Sequence, residues 1–467
     1  MTALSIFAAA REAPSQLALI DDDRELTFAE VADRTRPLLQ RLLAERPRAL
    51  ALTPRADVAS LLWIYAALAS GTPILPLHTR ATPAENAPAV AAVQAVQAVE
   101  LDAVTRTESK GDEPASLEPE RTLAYLPTSG STGTPRLVQL SRRAVLASAA
   151  ASAQNLGWEP EDRWLLCLPL AHTGGLSIVL RSLIARRTVL LFEPGTRGVL
   201  GDLERLRSVA GRATLLSLVP SVLGALLDAG FVAPPGLRAV LVGGAGTAPE
   251  LAERAHAAGL PLLTSYGLTE TASQVVTRNY ADRYRPPAVR DGVVSSGHPL
   301  PGVDLRVRDG AIAVRSPSLF SGYVGDGAPP LDDDGFLLTS DRGELGPSGE
   351  LFVRGRSDDV IVTGGENVEP LEVEAALVAL PLVRAACVFG SPSARFGEVV
   401  TALLVTSDPR LGDPAVLATQ LSDLLARHKF PRRIFVVDAL PMTSSGKVDR
   451  RACKARVLAT LADGSKL

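Results

Sequence analysis

ALALTPRADVASLLWIYAALASGTPILPL, from Ala49 to Leu77, sets one long helical pattern between two short apolar runs. ALAL at Ala49–Leu52 has strand length, the helical pattern runs to Ser70 and stops at Gly71, and ILPL at Ile74–Leu77 reads as a second strand. This is one strand-helix-strand unit, and it predicts an α/β fold. The apolar part, Leu61 to Leu77, is broken by Gly71 and Pro73 and is too interrupted to span a bilayer. Upstream, Thr27 followed by Glu30 makes a capping box ahead of an apolar-periodic run to Leu43, inside which Pro37 predicts a kink or an early stop.

Downstream, Ala87–Val99 is rich in alanine and valine and predicts a core helix, and Thr105–Arg121 is a charged, Pro/Gly-interrupted surface connection. Strands are expected at Trp164–Leu168, Thr188–Phe192, Leu215–Val219, Ala239–Val242 and Leu262–Thr264, with helices between them. From Asp291 to Asp341 short alternating runs separated by Gly, Pro and Asp turns predict an all-β segment. After GRSDDVIVTGGEN (Gly355–Asn367) the pattern is strand, helix (Pro370–Ala379), strand (Ala385–Phe389), strand (Val399–Val405), helix, strand (Ile434–Val437) and a polar loop. The expected architecture is thus a large domain of α/β layers with a β-rich subdomain (1–355) and a small α+β domain of about 110 residues (356–467). No internal repeat is visible.

Composition excludes several classes. Of 467 residues 46% are apolar and 21% charged, which is ordinary globular usage. A net charge of −3 from 48 basic and 51 acidic residues gives no global field for nucleic acid or an anionic membrane. Cys167, Cys387 and Cys453 have no paired spacing, which argues against a disulfide framework or a zinc site. The N-terminal run lacks a basic n-region, so a cytoplasmic protein is expected.

LPTSGSTGTPRLVQLS, Leu126–Ser141, is rich in Ser, Thr and Gly and carries Arg136. Glycines let backbone N–H groups close around an anion, hydroxyls add donors, and the guanidinium adds charge, so phosphate is the candidate ligand. It is not a Walker A loop, and SGKV at Ser445–Val448 is not one either. Alone, the stretch equally describes a bare surface loop.

Four further motifs follow in order: SYGLTETAS (Ser265–Ser273), LLTSDRGEL (Leu337–Leu345), GRSDDVIVTGGEN and LPMTSSGKVDR (Leu440–Arg450). Together with the loop they resemble the motif set of the adenylate-forming superfamily, and the resemblance spans nearly the whole chain. Within it, the compact length, WLLCLPLAHTGGLSIVLRS and VIVTGGENVEPLEVEAAL are similar to the o-succinylbenzoate-CoA ligases of menaquinone biosynthesis. The resemblance implies an ATP- and Mg²⁺-dependent enzyme that joins a carboxylic acid, an aryl acid foremost, to coenzyme A through an acyl-adenylate. Another acyl or aryl acid, or a carrier-protein thiol, is the alternative; a homodimer is left open. A nucleotide-binding protein without turnover is the competing class.

By the same resemblance Thr128, Ser129, Gly130, Ser131, Thr132, Gly133 and Thr134 grip the β- and γ-phosphates. The chain departs from the family's Pro-Lys-Gly with Pro135, Arg136 and Leu137; arginine keeps the charge but forks differently. Tyr266 and Gly267 flank adenine, Thr269 meets the α-phosphate, and Glu270 holds Mg²⁺. Gly243, Gly244 and Ala245 approach the nucleotide, unless they form a plain strand-to-helix turn. Asp341 accepts from the ribose hydroxyls, and Arg356 reaches ribose or phosphate. Lys447 is the implied catalytic cation, neutralising the displacement at phosphorus.

For the second step the small domain turns about Asp358 and presents Thr363, Gly364, Gly365 and Glu366; SDD equally suits a static linker. Ser265, His172 and Gly174 are implied to line the acyl pocket, although packing explains a single histidine as well. Arg181 is a candidate partner for a second substrate carboxylate, or else a helix cap or a solvated arginine.

Overall fold

The computed structural model describes residues 4–79, 81–98, 117–128, 136–195, 198–393, 395–443 and 447–463. Ala49–Leu52 is buried at all four positions and pairs in parallel with Ile74–Pro76 on one side and Ala95–Gln97 on the other. Both faces of this strand are covered, which is why its sequence lacks alternation. The helix Val58–Ser70 is capped by Asp57, whose side chain accepts from the Ser60 N–H at 2.7 Å, and ends at Gly71 with φ 74°. A Cβ at Gly71 would stand 2.7 Å from Leu117, so glycine is required there by conformation and by space. Leu61, Ile64, Tyr65 and Leu68 are buried and join the largest core cluster.

Among the described residues the large module contains two mixed sheets. One has nine strands in the order His298–Pro299, Ser273–Thr277, Leu262–Leu268, Ala239–Val242, Leu215–Leu218, Arg163–Leu166, Thr188–Leu191, Leu17–Asp21, Arg24–Thr27. Its centre is parallel and its edges antiparallel. The other has six strands and runs from Gly322–Tyr323 through Leu137–Ser141 and Thr122–Pro127 to the unit at Ala49. An antiparallel four-stranded sheet (Asp304–Arg308, Ala311–Arg315, Leu337–Leu345, Leu351–Arg356) realises the expected all-β segment. A five-stranded sheet built on Val383–Ser393 and Gly397–Thr406 follows the turn Ser357–Asp359.

Three expectations are corrected. The helix capped by Thr27 and Glu30 does not stop at Pro37 but continues from Phe28 to Glu45, held by Val31, Thr35, Leu39 and Leu42 on its buried face. Tertiary burial outweighs the one backbone donor that proline lacks. Ala87–Val99 is not one core helix: the helix is Pro83–Val93, only Val93 of it is buried, and the chain then enters the strand Ala95–Gln97. The C-terminal polar loop is followed by an unforeseen helix, Arg450–Asp463. Among the described residues no helix is long and apolar enough to cross a membrane.

Candidate active site

The strand Ala239–Val242 ends against Gly243 and Gly244, at the parallel sheet's C-terminal edge, where α/β proteins place their ligands. Gly244 has φ 80°, and a Cβ on it would lie 3.0 Å from Lys447 Cε and 3.3 Å from Nζ. The lysine of the C-terminal module therefore rests on the glycine turn of the large one. Its own turn is closed by the Lys447 N–H donating to Thr443 Oγ1 at 3.1 Å and the Thr443 N–H donating to the Lys447 carbonyl at 2.7 Å. Burial lowers the Lys447 pKa; Asp341 opposes that shift and Arg356 adds to it.

Asp341 accepts from the Tyr266 hydroxyl at 2.8 Å and lies 3.9 Å from Arg356 Nε. Burial raises its pKa, while the Tyr266 hydrogen bond and Arg356 pull it down. Arg356 donates to Ser340 at 2.6 Å and stands 3.9 Å from Asp358, yet its Nε is buried without a hydrogen-bond partner. Asp341, Arg356 and Lys447 thus form one polar cluster between the modules, with a donor to spare.

Leu262–Leu268 turns into Ser273–Thr277 so tightly that a Cβ on Gly267 would come 2.1 Å from the Ser273 carbonyl. That turn places Thr269 and Glu270 on the short helix Thr269–Thr271. Glu270 accepts from the Tyr323 hydroxyl at 2.9 Å through Oε1, and no hydrogen bond from a described residue reaches Oε2. A carboxylate anchored by one oxygen, with the other available, fits Mg²⁺ whose remaining ligands are water and phosphate. Ser265 gives its hydroxyl to the Val242 carbonyl at 3.1 Å and meets Gly243 side-on, while Ala245 is exposed.

The phosphate-loop residues Ser129, Gly130, Ser131, Thr132, Gly133 and Thr134 lie outside the described residues. The neck of that loop is described: the Thr128 N–H donates to the Arg136 carbonyl at 2.9 Å. Arg136 stacks on Tyr323, 3.6 Å from ring centroid to guanidinium carbon, with Asp326 3.7 Å away. Leu137, where the family has glycine, is a buried strand residue.

His172 precedes the helix Thr173–Ala185, its Nε2 buried without a partner and its ring 5.6 Å from that of His78. Burial, with His78 and Lys447 nearby, lowers its pKa to about 4, so it is neutral at ordinary pH. Gly174 sits where a Cβ would press on Leu168 at 3.2 Å. Arg181 is neither a helix cap nor solvated: it is 3% exposed, donates to Gln274 Oε1 at 3.3 Å and Ser148 Oγ at 3.2 Å, and has no carboxylate partner among the described residues. Burial lowers its pKa to about 10, which leaves it charged. It lines a narrow cavity with Val145, Ser148, Thr173, Leu176 and Ala272, beside His172 and the Glu270 turn.

Asp358 is exposed on the turn Ser357–Asp359. Thr363, Gly364, Gly365 and Glu366 make a hairpin turn with φ 61° and 89° at the glycines, and the Gly364 N–H donates to Phe396, so in this conformation the turn packs on its own module. Tyr323, Ser340 and His78 were not foreseen: Tyr323 and His78 sit in segments without periodicity or a charged motif to mark them, and Ser340 lies inside LLTSDRGEL, where Asp341 drew the assignment.

A family model described as AMP-binding enzyme matches residues 6–324, and a second, AMP-binding enzyme C-terminal domain, matches 372–447. The 2-succinylbenzoate–CoA ligase of Bacillus pumilus is 31% identical over 95% of this chain and 96% of its own length. The o-succinylbenzoate CoA synthetase of Bacillus subtilis, solved with the acyl-adenylate intermediate OSB-AMP, superposes with a TM-score of 0.84 at 29% identity, covering 96% of this chain and 97% of that one. The same enzyme solved with ATP and magnesium ion gives 0.81 at 29% identity, covering 96% and 98%. With one model spanning most of the large module and its companion following in the small one, the chain belongs to the AMP-binding enzyme family.

Proposed function

We propose that the chain is an AMP-forming acid–thiol ligase that converts 2-succinylbenzoate to its CoA thioester, as its relatives' names state for them. The carrying observation is Lys447, a half-buried cation brought from the C-terminal module onto Gly244 within reach of Asp341 and Arg356. The acid's carboxylate attacks the α-phosphorus of ATP, the acid oxygen–phosphorus bond forms, and pyrophosphate leaves with its bonding electron pair. Negative charge grows on the phosphoryl oxygens, and a positioned cation in a low-dielectric cleft offsets it.

In this reading Asp341 accepts the ribose hydroxyls, Tyr266 fixes that carboxylate, and Thr269 donates to the α-phosphate. Mg²⁺, held by Glu270, would screen the triphosphate charge. Thr128 to Thr134 and Arg136 receive the departing pyrophosphate. The units 1–355 and 356–467 then rotate about Asp358, Lys447 withdraws, and the turn Thr363–Glu366 faces the cleft while the CoA thiolate attacks the acyl carbonyl and AMP departs.

Arg181 supports a dicarboxylic acid. A buried guanidinium with only neutral partners among the described residues is suited to a carboxylate that arrives with the substrate. Because the cavity beside it is narrow, an aryl acid must widen it, displacing side chains such as Leu176. The test is ATP–pyrophosphate exchange across a panel of acids, followed by thioester formation with CoA or a carrier-protein thiol. Exchange with 2-succinylbenzoate and transfer to CoA is expected; no exchange with any acid contradicts the reading.

A further inference from the structure

Tyr323 stands between two groups that the proposed reaction needs at different points of the triphosphate. The strand Gly322–Tyr323 pairs antiparallel with Leu137–Ser141, Tyr323 opposite Val138, which brings the ring alongside Arg136. One face of the ring carries the Arg136 guanidinium at 3.6 Å, and the hydroxyl donates to Glu270 Oε1 at 2.9 Å. Phe320 meets the ring edge-on at 4.8 Å and its N–H donates to the Glu270 carbonyl at 2.8 Å, so the segment 320–323 holds Glu270 by backbone and by side chain. Asp326, just beyond that segment and 3.7 Å from Arg136, faces the guanidinium as well.

We propose that Tyr323 is a positioning residue that sets the Glu270 carboxylate for the divalent cation and shelves Arg136 for the phosphates. The proposal rests on the assignment of Glu270 and Arg136 above. The hydroxyl fixes one carboxylate oxygen and so aims the other; without it the carboxylate rotates freely and cation affinity falls. The ring orients a guanidinium that otherwise samples many rotamers. The two tasks use different atoms of one side chain, so substitution separates them.

The test is calorimetric titration with α,β-methylene-ATP, with Mg²⁺ and with EDTA, after thermal unfolding has established that each variant is folded. Tyr323→Phe keeps the shelf and loses the hydroxyl: the Mg²⁺ concentration for half-saturation should rise about tenfold, as for a lost hydrogen bond to a charged group, with metal-free affinity within about twofold of the unmodified protein's. Tyr323→Leu should also weaken metal-free binding by about threefold, the size of a lost cation–π contact. In a Glu270→Gln background Tyr323→Phe should have no further effect on the Mg²⁺ requirement.

A Tyr323→Phe protein with an unaltered Mg²⁺ requirement overturns the proposal, as does an effect that persists without the Glu270 charge. Equal losses with and without metal mark mere packing and overturn it as well. The ligase reading fails separately, on absent acid-dependent exchange in the unmodified protein, whatever the Tyr323 titrations give.

Discussion

Arg181 and Lys447 are both cations drawn out of water, and neither is matched by a close carboxylate at hydrogen-bond distance among the described residues. Such groups cost stability and are retained where an incoming anion completes them. Arg181→Gln is expected to raise KM for 2-succinylbenzoate about tenfold or more while KM for ATP is unchanged, as for a lost charged hydrogen bond; steady-state kinetics with each substrate varied checks this. For Lys447 the active form is the cation and burial lowers its pKa, so adenylation should fall as pH rises, at a pH below that of an ordinary lysine. Lys447→Arg, slower in absolute rate, should lose that alkaline limb because a guanidinium stays protonated, and a pH profile of kcat/KM for exchange reads it. Motif order marked Lys447, whereas sequence left Arg181 open between a substrate carboxylate, a helix cap and solvent. Motif order did not mark Tyr323, because a Gly-Tyr pair in an irregular segment says nothing until the strand register lays it beside Arg136 and Glu270.

At the scale of elements, one buried ion pair fastens the glycine turn in place. Arg238, next to the strand Ala239–Val242, donates through Nε to Asp162 Oδ1 at 2.6 Å and reaches the Leu156 and Gly157 carbonyls at 3.0 Å, tying the end of one helix to two strands. Asp162 is 1% exposed. Asp162→Ala strands the guanidinium and should lower the unfolding free energy by about 3–5 kcal/mol in urea titrations; adding Arg238→Met should restore part of it. Sequence located the parallel strands of this sheet well because they are apolar runs covered on both faces. It misplaced elements whose burial is thin: the helix Pro83–Val93 buries one residue, and the C-terminal helix packs a narrow face through Cys453 and Val457. Pro37 misled in the opposite direction, since the packing of a long helix overrode a local breaker.

Across the whole molecule, the proposed rotation asks the small module to move as a unit, and one side chain ties its parts together. Arg450, three residues beyond Lys447, donates to Asp359 at 2.9 Å, to Glu374 at 2.7 Å and to the Val388 carbonyl at 3.0 Å, so the lysine turn, the helix Pro370–Val378 and the segment after Asp358 share one guanidinium. Between modules, Arg342 on Leu337–Leu345 donates to Glu369 at 3.0 Å, a contact that the proposed rotation would have to break. The two-module plan was legible from the motif break at Gly355–Asn367; the contacts that hold Lys447 in the cleft are long-range, and no local pattern encodes them. The proposed mechanism requires that lysine to act in one half-reaction and leave for the other. Rapid-quench measurement of adenylate formation and, separately, of CoA thioester formation from preformed 2-succinylbenzoyl-adenylate, in the Lys447→Ala protein, tests it most directly. Adenylate formation should fall about 10²–10³-fold, as when a positioned electrostatic group is removed, with thioester formation near the unmodified rate. Adenylate made at the unmodified rate, or equal losses in both steps, would contradict it.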